Sequence, residues 1–458
     1  MYGGVQCIDR SQTSTGCSHA RRPRAGATPR SVSTNYGQSH SVRAGADNRY
    51  VNGLYSHWQR FVDEYWEQRS WLTDDPPGGL DITADHAFAV LCEAGARADA
   101  RATASAHRAG VPERDAQPFM PRASDGGWDG YQRRIDHHVG SDDWQLMIND
   151  FQTLDFAVWQ CARDFLEPLF DALGGMPAWR SELVFVCGRY AKTPAGVHRD
   201  RDVSLFMAML AGHKTMLTWP AGAEGVARGC DYEHLRDAAT VLDATPGRLA
   251  YWPSSAWHVG ESPQFSVSMH VALALSVDPW QLYLKLLRRQ VLPALDAQPL
   301  VPRAGASAGK LALPPHLAAP HAAMTAAVQD EETTTRMLET WMRLTTAGGF
   351  RAKPAKAARP SIEHESVVAL ASRHPILVAE TGDGVWSCSA NGHVVRVRAR
   401  GAGLRLLVEQ LNDGRRWRVH ELLATQRAEL AASSRLGETH LVELLGSFAS
   451  WHALALVG

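Results

Sequence analysis

A histidine and an aspartate stand two residues apart in the stretch AGVHRDRDVSLFMAMLAGHK, residues 195–214. In an extended strand, His198 and Asp200 project from the same face, where both can bind one metal ion. Of the twenty histidines, His198 is the only one followed two places on by Asp or Glu. The spacing marks this pair as a candidate metal site, and the alternative is a charged turn between two ordinary strands.

A third ligand has to come from a distant part of the chain, and His258 is the candidate. It follows the turn at 253–255 in the stretch PGRLAYWPSSAWHVGE. Two histidines and one carboxylate on one face of an octahedral ion form the ligand set of non-haem Fe(II) oxygenases, which leaves three positions for a cosubstrate and O₂. The residue types and their order therefore predict a metal site at His198, Asp200 and His258.

Two further charged residues near the pair have open interpretations. Asp202 competes with Asp200 as the ligand, but it lies four residues from His198, which favours a surface position or a supporting role for it. Lys214 follows the strand that leaves the pair. A lysine at a strand end is usually solvated, whereas inside a barrel its ammonium can pair with the distal carboxylate of an anionic cosubstrate.

The elements that must position these residues predict a mainly β core. From about 182 to 275 the chain reads as short strands broken by turns, with no long helical pattern between them. Strands joined in this way pair antiparallel in a β-sandwich or barrel. Two amphipathic helices precede them, one starting at Ser56 and one near 154–173 that stops at Gly174. Their apolar faces need a partner, so both helices belong to the main domain.

Composition sets the class of protein. The 458 residues exceed one ordinary core and predict two or three domains. With 45% apolar residues, 21% charged residues and a formal net charge of -1, the chain has no basic excess that would recruit nucleic acid. The seven cysteines contain no CxxC pair, which disfavours a zinc knuckle or a disulfide framework. Without a membrane-spanning stretch or a signal-peptide core, we expect a cytoplasmic protein.

Local composition divides the chain into four parts. Residues 1–48 hold six Arg, two Asp and almost no aliphatic side chains, which predicts a disordered leader, with a transit peptide as the alternative. Residues 49–278 hold the candidate site. Helical segments and Pro/Ala-rich passages in 279–350 predict a linker that packs against another subunit or domain. Residues 351–458 read as a small α+β domain with an Asn-Gly hairpin turn at 391–392.

Three motifs, taken in order, resemble the JmjC-type 2-oxoglutarate oxygenases, and most of all the ribosomal oxygenase branch of that family. They are FVDEYWEQRSW, PAWRSELVFVCGRYAKTPAGVHRDRDVSLFMAMLAGHKTMLTW and ATPGRLAYWPSSAWHVGES, and they cover about residues 55–275. The resemblance implies a double-stranded β-helix core, the jelly-roll or cupin fold, with flanking helices. It also implies a helical dimerisation region, a winged-helix-like C-terminal domain, and hence a homodimer.

The resemblance further implies an activity and its cofactors. In that family the three candidate ligands bind Fe(II) and are catalytic. A basic residue just after a glycine on the next strand binds the distal carboxylate of the cosubstrate 2-oxoglutarate, which corresponds to Lys214. Ser266, in the stretch FSVSMH, and Thr193 are further candidates for contact with that carboxylate. The implied reaction is hydroxylation of an amino-acid side chain in a protein or peptide.

Departures from the family pattern leave other functions open. Arg199 stands where the family usually has an aromatic residue, and together with Arg201 it could select an acidic small molecule, such as a metabolite or natural product. A metal-dependent sensor with a DNA-binding winged helix is a second alternative, and a cupin enzyme that works without 2-oxoglutarate is a third. The ten Arg and ten acidic residues of 360–458 cancel, which disfavours DNA binding.

Overall fold

A computed structural model describes the chain from residue 48 onward, with gaps. The described residues are 48–95, 103–176, 180–200, 202–274, 284, 287–288, 315–350, 353–354, 356–382, 384–399, 403–432 and 437–457. The predicted leader therefore lies outside the described residues except for its last position. No helix in these ranges is long and apolar enough to cross a membrane.

Ten antiparallel strands build the core that carries the candidate site. They are β1 (Trp71–Thr73), β2 (Ala104–Arg108), β3 (Val111–Pro112), β4 (Trp144–Ile148), β5 (Arg180–Tyr190), β6 (Val203–Ala211), β7 (Lys214–Trp219), β8 (Thr240–Ala244), β9 (Leu249–Trp252) and β10 (Trp257–Ala274). Eight of them follow the order β1-β9-β6-β10-β5-β4-β2-β3, while β7 pairs with β10 and β8.

Strand β10 belongs to both parts of this core. Its first residues, 257–261, pair with β7, and its later residues, 267–274, lie between β5 and β6. A register shift between Ser262 and Ser266 separates the two halves. Such a bulge bends a strand and lets it pass from one sheet into another. The pairing is that of a double-stranded β-helix with flanking helices, so the predicted fold is confirmed.

Two helices cover the outer face of the larger sheet. They are α1 (Asn48–Glu64) and α4 (Phe156–Leu173). The helices α2 (Ala84–Ala94) and α3 (Trp128–Val139) lie between them in the chain. Trp58 of α1 contacts Phe165 of α4 and Phe206 of β6 edge-on, at ring-centroid distances of 5.5 and 5.7 Å. All three side chains are buried. Edge-to-face pairs of this kind add about 0.5–1.5 kcal/mol each to the burial of the rings.

The ends of these helices test the sequence predictions. The helix predicted near 154–173 is confirmed, since Asp155 caps its first turn by accepting from the Val158 amide and Gly174 ends it at a φ of 71°. The prediction that a helix starts at Ser56 is wrong, because α1 begins at Asn48. The apolar spacing continues upstream of Ser56, and a serine within such a spacing does not stop a helix.

The C-terminal part combines helices with two three-stranded sheets. In chain order the elements are α5 (Pro315–Gln329), α6 (Glu331–Thr346), β11 (Val367–Leu370), β12 (Leu377–Gly382), β13 (Val385–Ala390), β14 (His393–Arg398), α7 (Gly403–Asn412), β15 (Trp417–Arg418), α8 (Val419–Ala432), α9 (Glu438–Ser450) and β16 (Leu454–Leu456). The predicted hairpin is confirmed, with Asn391 and Gly392 at positive φ. The winged-helix-like character stays a prediction, and most of the helix expected at 280–295 lies outside the described residues.

Candidate metal and cosubstrate site

The backbone places the two candidate histidines directly opposite each other. His198 and His258 form an antiparallel bridge, in which each amide donates to the other residue's carbonyl at 3.0 and 2.8 Å. Their rings lie 4.2 Å apart between centroids. Asp200 follows His198 by two residues and turns its carboxylate toward the same point. Side-chain ligand atoms of all three residues lie within 4.8 Å of one another.

The hydrogen bonds of the two rings leave one free nitrogen each at the centre. His198 Nδ1 lies 2.8 Å from the Gly196 carbonyl oxygen and His258 Nδ1 lies 3.3 Å from that of Ala256. A carbonyl can only accept, so Nδ1 carries the proton and Nε2 presents its lone pair. This second contact of a ligating histidine is usual in metal sites, because it fixes the tautomer and the ring orientation.

Two ring nitrogens and one carboxylate therefore converge in the centre. The Nε2 atoms of His198 and His258 lie 3.8 and 3.4 Å from the two carboxylate oxygens of Asp200. Lone pairs that face one another at this range repel unless a cation lies between them. Two nitrogens and one carboxylate on one side of an ion, with open positions on the other, are the ligand set of non-haem Fe(II). The donor set fits a divalent transition metal.

The charges of the site match what a metal requires. Burial and the neighbouring His258 lower the pKa of His198, so its ring is neutral near pH 7. Burial alone would raise the pKa of Asp200, but the contacts with His258 and His198 lower it overall. Ligation needs neutral imidazoles and an ionised carboxylate. The directions of the pKa shifts of His198 and Asp200 agree with these conditions.

The competing aspartate lies outside this centre. Asp202 is exposed, adopts a φ of 65°, and does not join the three converging side chains. Arg199 is exposed and its guanidinium lies 5.4 Å above the Trp257 ring, while Arg201 lies outside the described residues. The geometry thus favours Asp200 over Asp202 as the ligand.

One cavity of about 690 Å³ contains the converging side chains and the candidate cosubstrate residues. Its wall includes the three candidate ligands together with Thr193, Lys214, Trp252 and apolar side chains of β5, β6 and β10. The volume suits a small cosubstrate and part of a substrate together. The structure therefore brings five of the six predicted site residues to one cavity, and Ser266 is the one that it does not.

Lys214 is the most informative residue of this cavity. Its side chain is 1% exposed, and no carboxylate of a described residue lies within salt-bridge distance of its ammonium. The ammonium lies 5.8 Å from the centre of the Tyr190 ring. A buried, unpaired cation is costly. An anion that enters the cavity would remove this cost.

Gly260 makes room for the lysine. A Cβ atom at this position would lie 3.0 Å from Lys214 Cε, 3.0 Å from Thr193 Cγ2 and 2.7 Å from Met216 Sδ. Thr193 is held close by its own amide, which donates to the Gly260 carbonyl at 2.7 Å. The lysine stem therefore lies directly over β10, two residues from His258.

Ser266 occupies a different place from the other predicted residues. It is 2% exposed, and its hydroxyl lies 2.6 Å from that of Ser262, within the bulge of β10. Gly212, at the turn before Lys214, has no space for a Cβ because one would lie 2.9 Å from Ser266 Cα. Ser266 thus supports the turn behind Lys214, and its predicted contact with the cosubstrate stays a prediction.

Five polar residues of the cavity wall were not predicted from the sequence: His107, Gln145, Asn149, Glu182 and His270. His270, on β10, lies 3.4 Å from Lys214 Nζ through its Nε2. Gln145, on β4, is 7% exposed, lines the cavity, and has no side-chain hydrogen bond to any described residue. The signal for His270 was a histidine directly before an apolar run, Val271–Ala274, at the end of β10. For Gln145 there was no signal, because β4 was not recognised as part of the core.

A carboxylate outside the cavity supports the turn that precedes His258. Glu67, just after α1, has a φ of 54°, which is uncommon for a residue other than glycine. Its carboxylate accepts hydrogen bonds from the Ser204 hydroxyl, from the Tyr251 hydroxyl at 3.0 Å, and from both the amide and the hydroxyl of Ser254. Four donors on one carboxylate tie α1, β6, β9 and the turn together.

Replacing Glu67 by glutamine is expected to weaken metal binding by about tenfold, because an amide cannot accept all four bonds and the turn before His258 loosens. The dissociation constant is measured by competition with a chromophoric chelator, alongside thermal unfolding. Glu64→Gln is the control, since Glu64 pairs only with exposed arginines on the same surface. A fall in thermal stability with unchanged metal affinity would show that Glu67 does not position His258.

A second group of ligand-type side chains is an ion-pair cluster. His374 is 5% exposed, and its Nε2 and Nδ1 lie 3.1 and 3.3 Å from Asp164 and Glu167 of α4, with Arg373 also paired to Glu167. Burial would raise the pKa of both carboxyls, but the hydrogen bonds from His374 and the Arg373 charge lower them overall. Arg373 and His374 already satisfy the carboxylates, so this cluster joins α4 to the C-terminal part.

The chain is similar to structures of the ribosomal oxygenase YcfD from Escherichia coli. One of these has 14% sequence identity, covers 88% of this chain and 98% of the other, and gives a TM-score of 0.47. A structure of YcfD in complex with cobalt and 2-oxoglutarate has the same identity, coverage and TM-score. The carbocyclase SnoK from nogalamycin biosynthesis has 10% identity over 29% of this chain and 64% of the other, with a TM-score of 0.23.

Comparisons at the level of sequence find no counterpart. No family model matches the chain. No curated protein matches it either. Because the identities and TM-scores of the similar structures are low, the function proposed below rests on the residues of this chain.

Proposed function

We propose that this protein is an Fe(II)- and 2-oxoglutarate-dependent oxygenase that hydroxylates an amino-acid side chain in a protein or peptide. The observation that carries the proposal is the combination of sites in one cavity. A two-histidine, one-carboxylate centre shares it with Lys214, a buried ammonium without a carboxylate partner among the described residues. An oxo acid with a second carboxylate at its far end can occupy both sites at once.

The residues of this chain have separate roles in the proposed reaction. His198, Asp200 and His258 hold the metal, which when bound would supply O₂ activation coupled to the decarboxylation of 2-oxoglutarate to succinate and CO₂. Lys214 binds the distal carboxylate and so directs the oxo end toward the metal centre. Trp252 and the apolar side chains of the wall exclude water from that end.

A polypeptide substrate is supported by the shape of the cavity. A smaller cavity of about 160 Å³ shares the residues His107, Gly110, Gln145, Thr193 and Pro194 with the first one. The two together extend from the metal centre across β4 and β2 toward the edge of the sheet. An extended chain fits such a groove better than a compact metabolite does, and the unpaired amide of Gln145 can bond a peptide group.

Succinate release tests the oxygenase proposal before the substrate is known, because turnover uncoupled from substrate oxidation also yields succinate. Wild-type protein with Fe(II), 2-oxoglutarate and air is expected to release succinate. A random peptide library should increase the rate of succinate release, and one peptide of the library should gain an oxygen atom. Protein with Asp200→Ala is the control. Wild-type protein that neither binds 2-oxoglutarate nor releases succinate would refute the proposal.

Exposed apolar side chains support the proposed homodimer. Among the described residues, eight large apolar side chains are exposed, and four of them lie within 279–350: Leu284, Met324, Val328 and Trp341. Exposed apolar clusters mark interaction surfaces. We therefore propose 279–350 as the dimerisation region between the core domain of 49–278 and the C-terminal domain of 351–458.

The double variant Val328→Glu, Trp341→Glu is expected to convert the dimer to a monomer, since two charges would be buried at the contact. Light scattering coupled to size exclusion measures the mass. Val241→Glu is the control, because Val241 is 52% exposed but lies in the barrel. A double variant that stays dimeric, or a wild type that is monomeric, would contradict the assignment.

A further inference from the structure

Gln145 projects from β4 into the cavity. The residues on either side of it in the strand, Trp144 and Leu146, are buried in the main hydrophobic core. Gln145 and Met147 line the cavity instead. Because successive residues of a strand point to opposite faces, the side chain of Gln145 extends to the cavity side of the sheet.

The residues paired with Gln145 leave its amide uncovered. On one side the partner is Gly188 of β5, where a Cβ atom would lie 2.9 Å from Gln145 Cα. On the other side the partner is His107 of β2, and burial lowers the pKa of its ring, which is therefore neutral near pH 7. The amide of Gln145 has no hydrogen bond to any described residue, and neither of its polar atoms is sealed from the cavity. A polar group held in this way has lost most of its contact with water and gains from a ligand that bonds it.

The surroundings of this amide suit an uncharged ligand group with one donor and one acceptor. A glutamine carboxamide offers both kinds of atom. In an extended chain, the N–H and C=O of one residue point to the same side, as in the hydrogen-bonded pairs of an antiparallel sheet. One carboxamide can therefore bond both groups of one residue. A charged group would meet no opposite charge here, because the neighbours His107, Met147 and Gly188 are neutral.

We propose that Gln145 binds the main chain of the substrate, accepting from the N–H and donating to the C=O of one residue of an extended peptide. The inference rests on the proposed function and assigns a substrate-binding residue to it. Gln145 also lines the smaller cavity that continues toward β2, so a peptide that follows both cavities passes it. Because main-chain groups are the same in nearly every residue, this contact selects an extended polypeptide over a compact metabolite, whatever the side chains of the peptide.

Two capped peptides test the contact by saturation-transfer NMR on the full chain loaded with Zn(II) and 2-oxoglutarate. Pentaglycine offers main-chain groups alone, and pentasarcosine carries a methyl group in place of each main-chain N–H. Wild-type protein is expected to bind pentaglycine and to bind pentasarcosine more weakly. Gln145→Met removes the amide at similar side-chain length and should weaken pentaglycine binding roughly five- to a hundredfold, because two neutral hydrogen bonds are lost.

Met147→Leu is the matched control, because Met147 lines the same face of β4 and has no hydrogen-bond donor. It should bind pentaglycine as the wild type does. The proposal is wrong if the wild type binds both peptides equally or binds neither, if Gln145→Met binds pentaglycine as tightly as the wild type, or if Met147→Leu weakens binding as much as Gln145→Met. Acetamide that displaces pentaglycine at equal concentration would assign Gln145 to a side-chain amide instead. Succinate release without peptide tests the proposed function separately, so a wild type that releases succinate but does not bind pentaglycine overturns only this contact.

Discussion

Asp200→Ala is expected to abolish 2-oxoglutarate turnover and to weaken divalent metal binding by more than about a hundredfold. The carboxylate is the anionic member of the ligand set, and without it two neutral histidines face the ion alone. His198→Ala and His258→Ala should have the same effect, because each leaves only two ligands. The fold should survive Asp200→Ala, since Asp200 keeps 40% of its side chain exposed at the mouth of the barrel.

Asp202→Ala is the control for this prediction. Asp202 lies two residues further on, is exposed, and does not reach the centre. Metal content by mass spectrometry, succinate release and thermal unfolding are measured on all four variants. Loss of metal in Asp202→Ala with full retention in Asp200→Ala would reverse the ligand assignment.

Lys214→Met is expected to have two effects of opposite sign. Binding of 2-oxoglutarate should weaken by roughly ten- to more than a hundredfold, because a charge-assisted bond worth about 1.5–3 kcal/mol is lost. The free energy of unfolding of the protein without cosubstrate should rise by roughly 1 kcal/mol or more, because a buried cation without a carboxylate partner is replaced by an apolar side chain of similar length. Metal binding should not change.

The two effects are measured by titration calorimetry and by chemical denaturation. Lys214→Arg should keep part of the affinity, since a guanidinium also pairs with a carboxylate, although its greater size requires repacking over Gly260. A Lys214→Met protein that binds 2-oxoglutarate as tightly as the wild type would remove Lys214 from the cosubstrate site. A less stable variant would mean that the ammonium is already paired in the absence of ligand.

The convergence of His198 and Asp200 could be predicted from the sequence because its signal is local. The spacing of His198 and Asp200 places both on one face of an extended segment, whatever sheet that segment joins. Lys214 could also be predicted as a candidate, because it is a charged residue at the start of an apolar strand. The backbone pairing of His198 with His258 could not be predicted. It joins residues sixty positions apart and is set by the closure of the barrel.

The remaining cavity residues could not be predicted, for reasons that lie in β10 and β4. Alternation along a strand assigns Ser266, Ser268 and His270 to one face. The register against β6 shifts between Val267 and Ser268, so Ser266 lies behind the Lys214 turn while His270 reaches the cavity. The position of Gln145 in the cavity wall depends on the pairing of β4 with β5. A strand of five residues after a helix shows little alternation of apolar and polar residues in the sequence.

Under the proposed function, the position of the lysine stem over Gly260 fixes the length of the cosubstrate that the barrel accepts. His258 and Gly260 are two strand residues apart, about 6.6 Å. Side-chain positions on one face of a strand are separated by steps of that size. Oxo acids with one carbon fewer or more differ in length by only about 1.5 Å. A shift in strand register therefore cannot change the preference of the barrel from a five-carbon to a four- or six-carbon oxo acid. Under the proposed function, only a new side chain at position 214 can, which makes this position the one to examine when cosubstrate preference is compared between barrels of this kind.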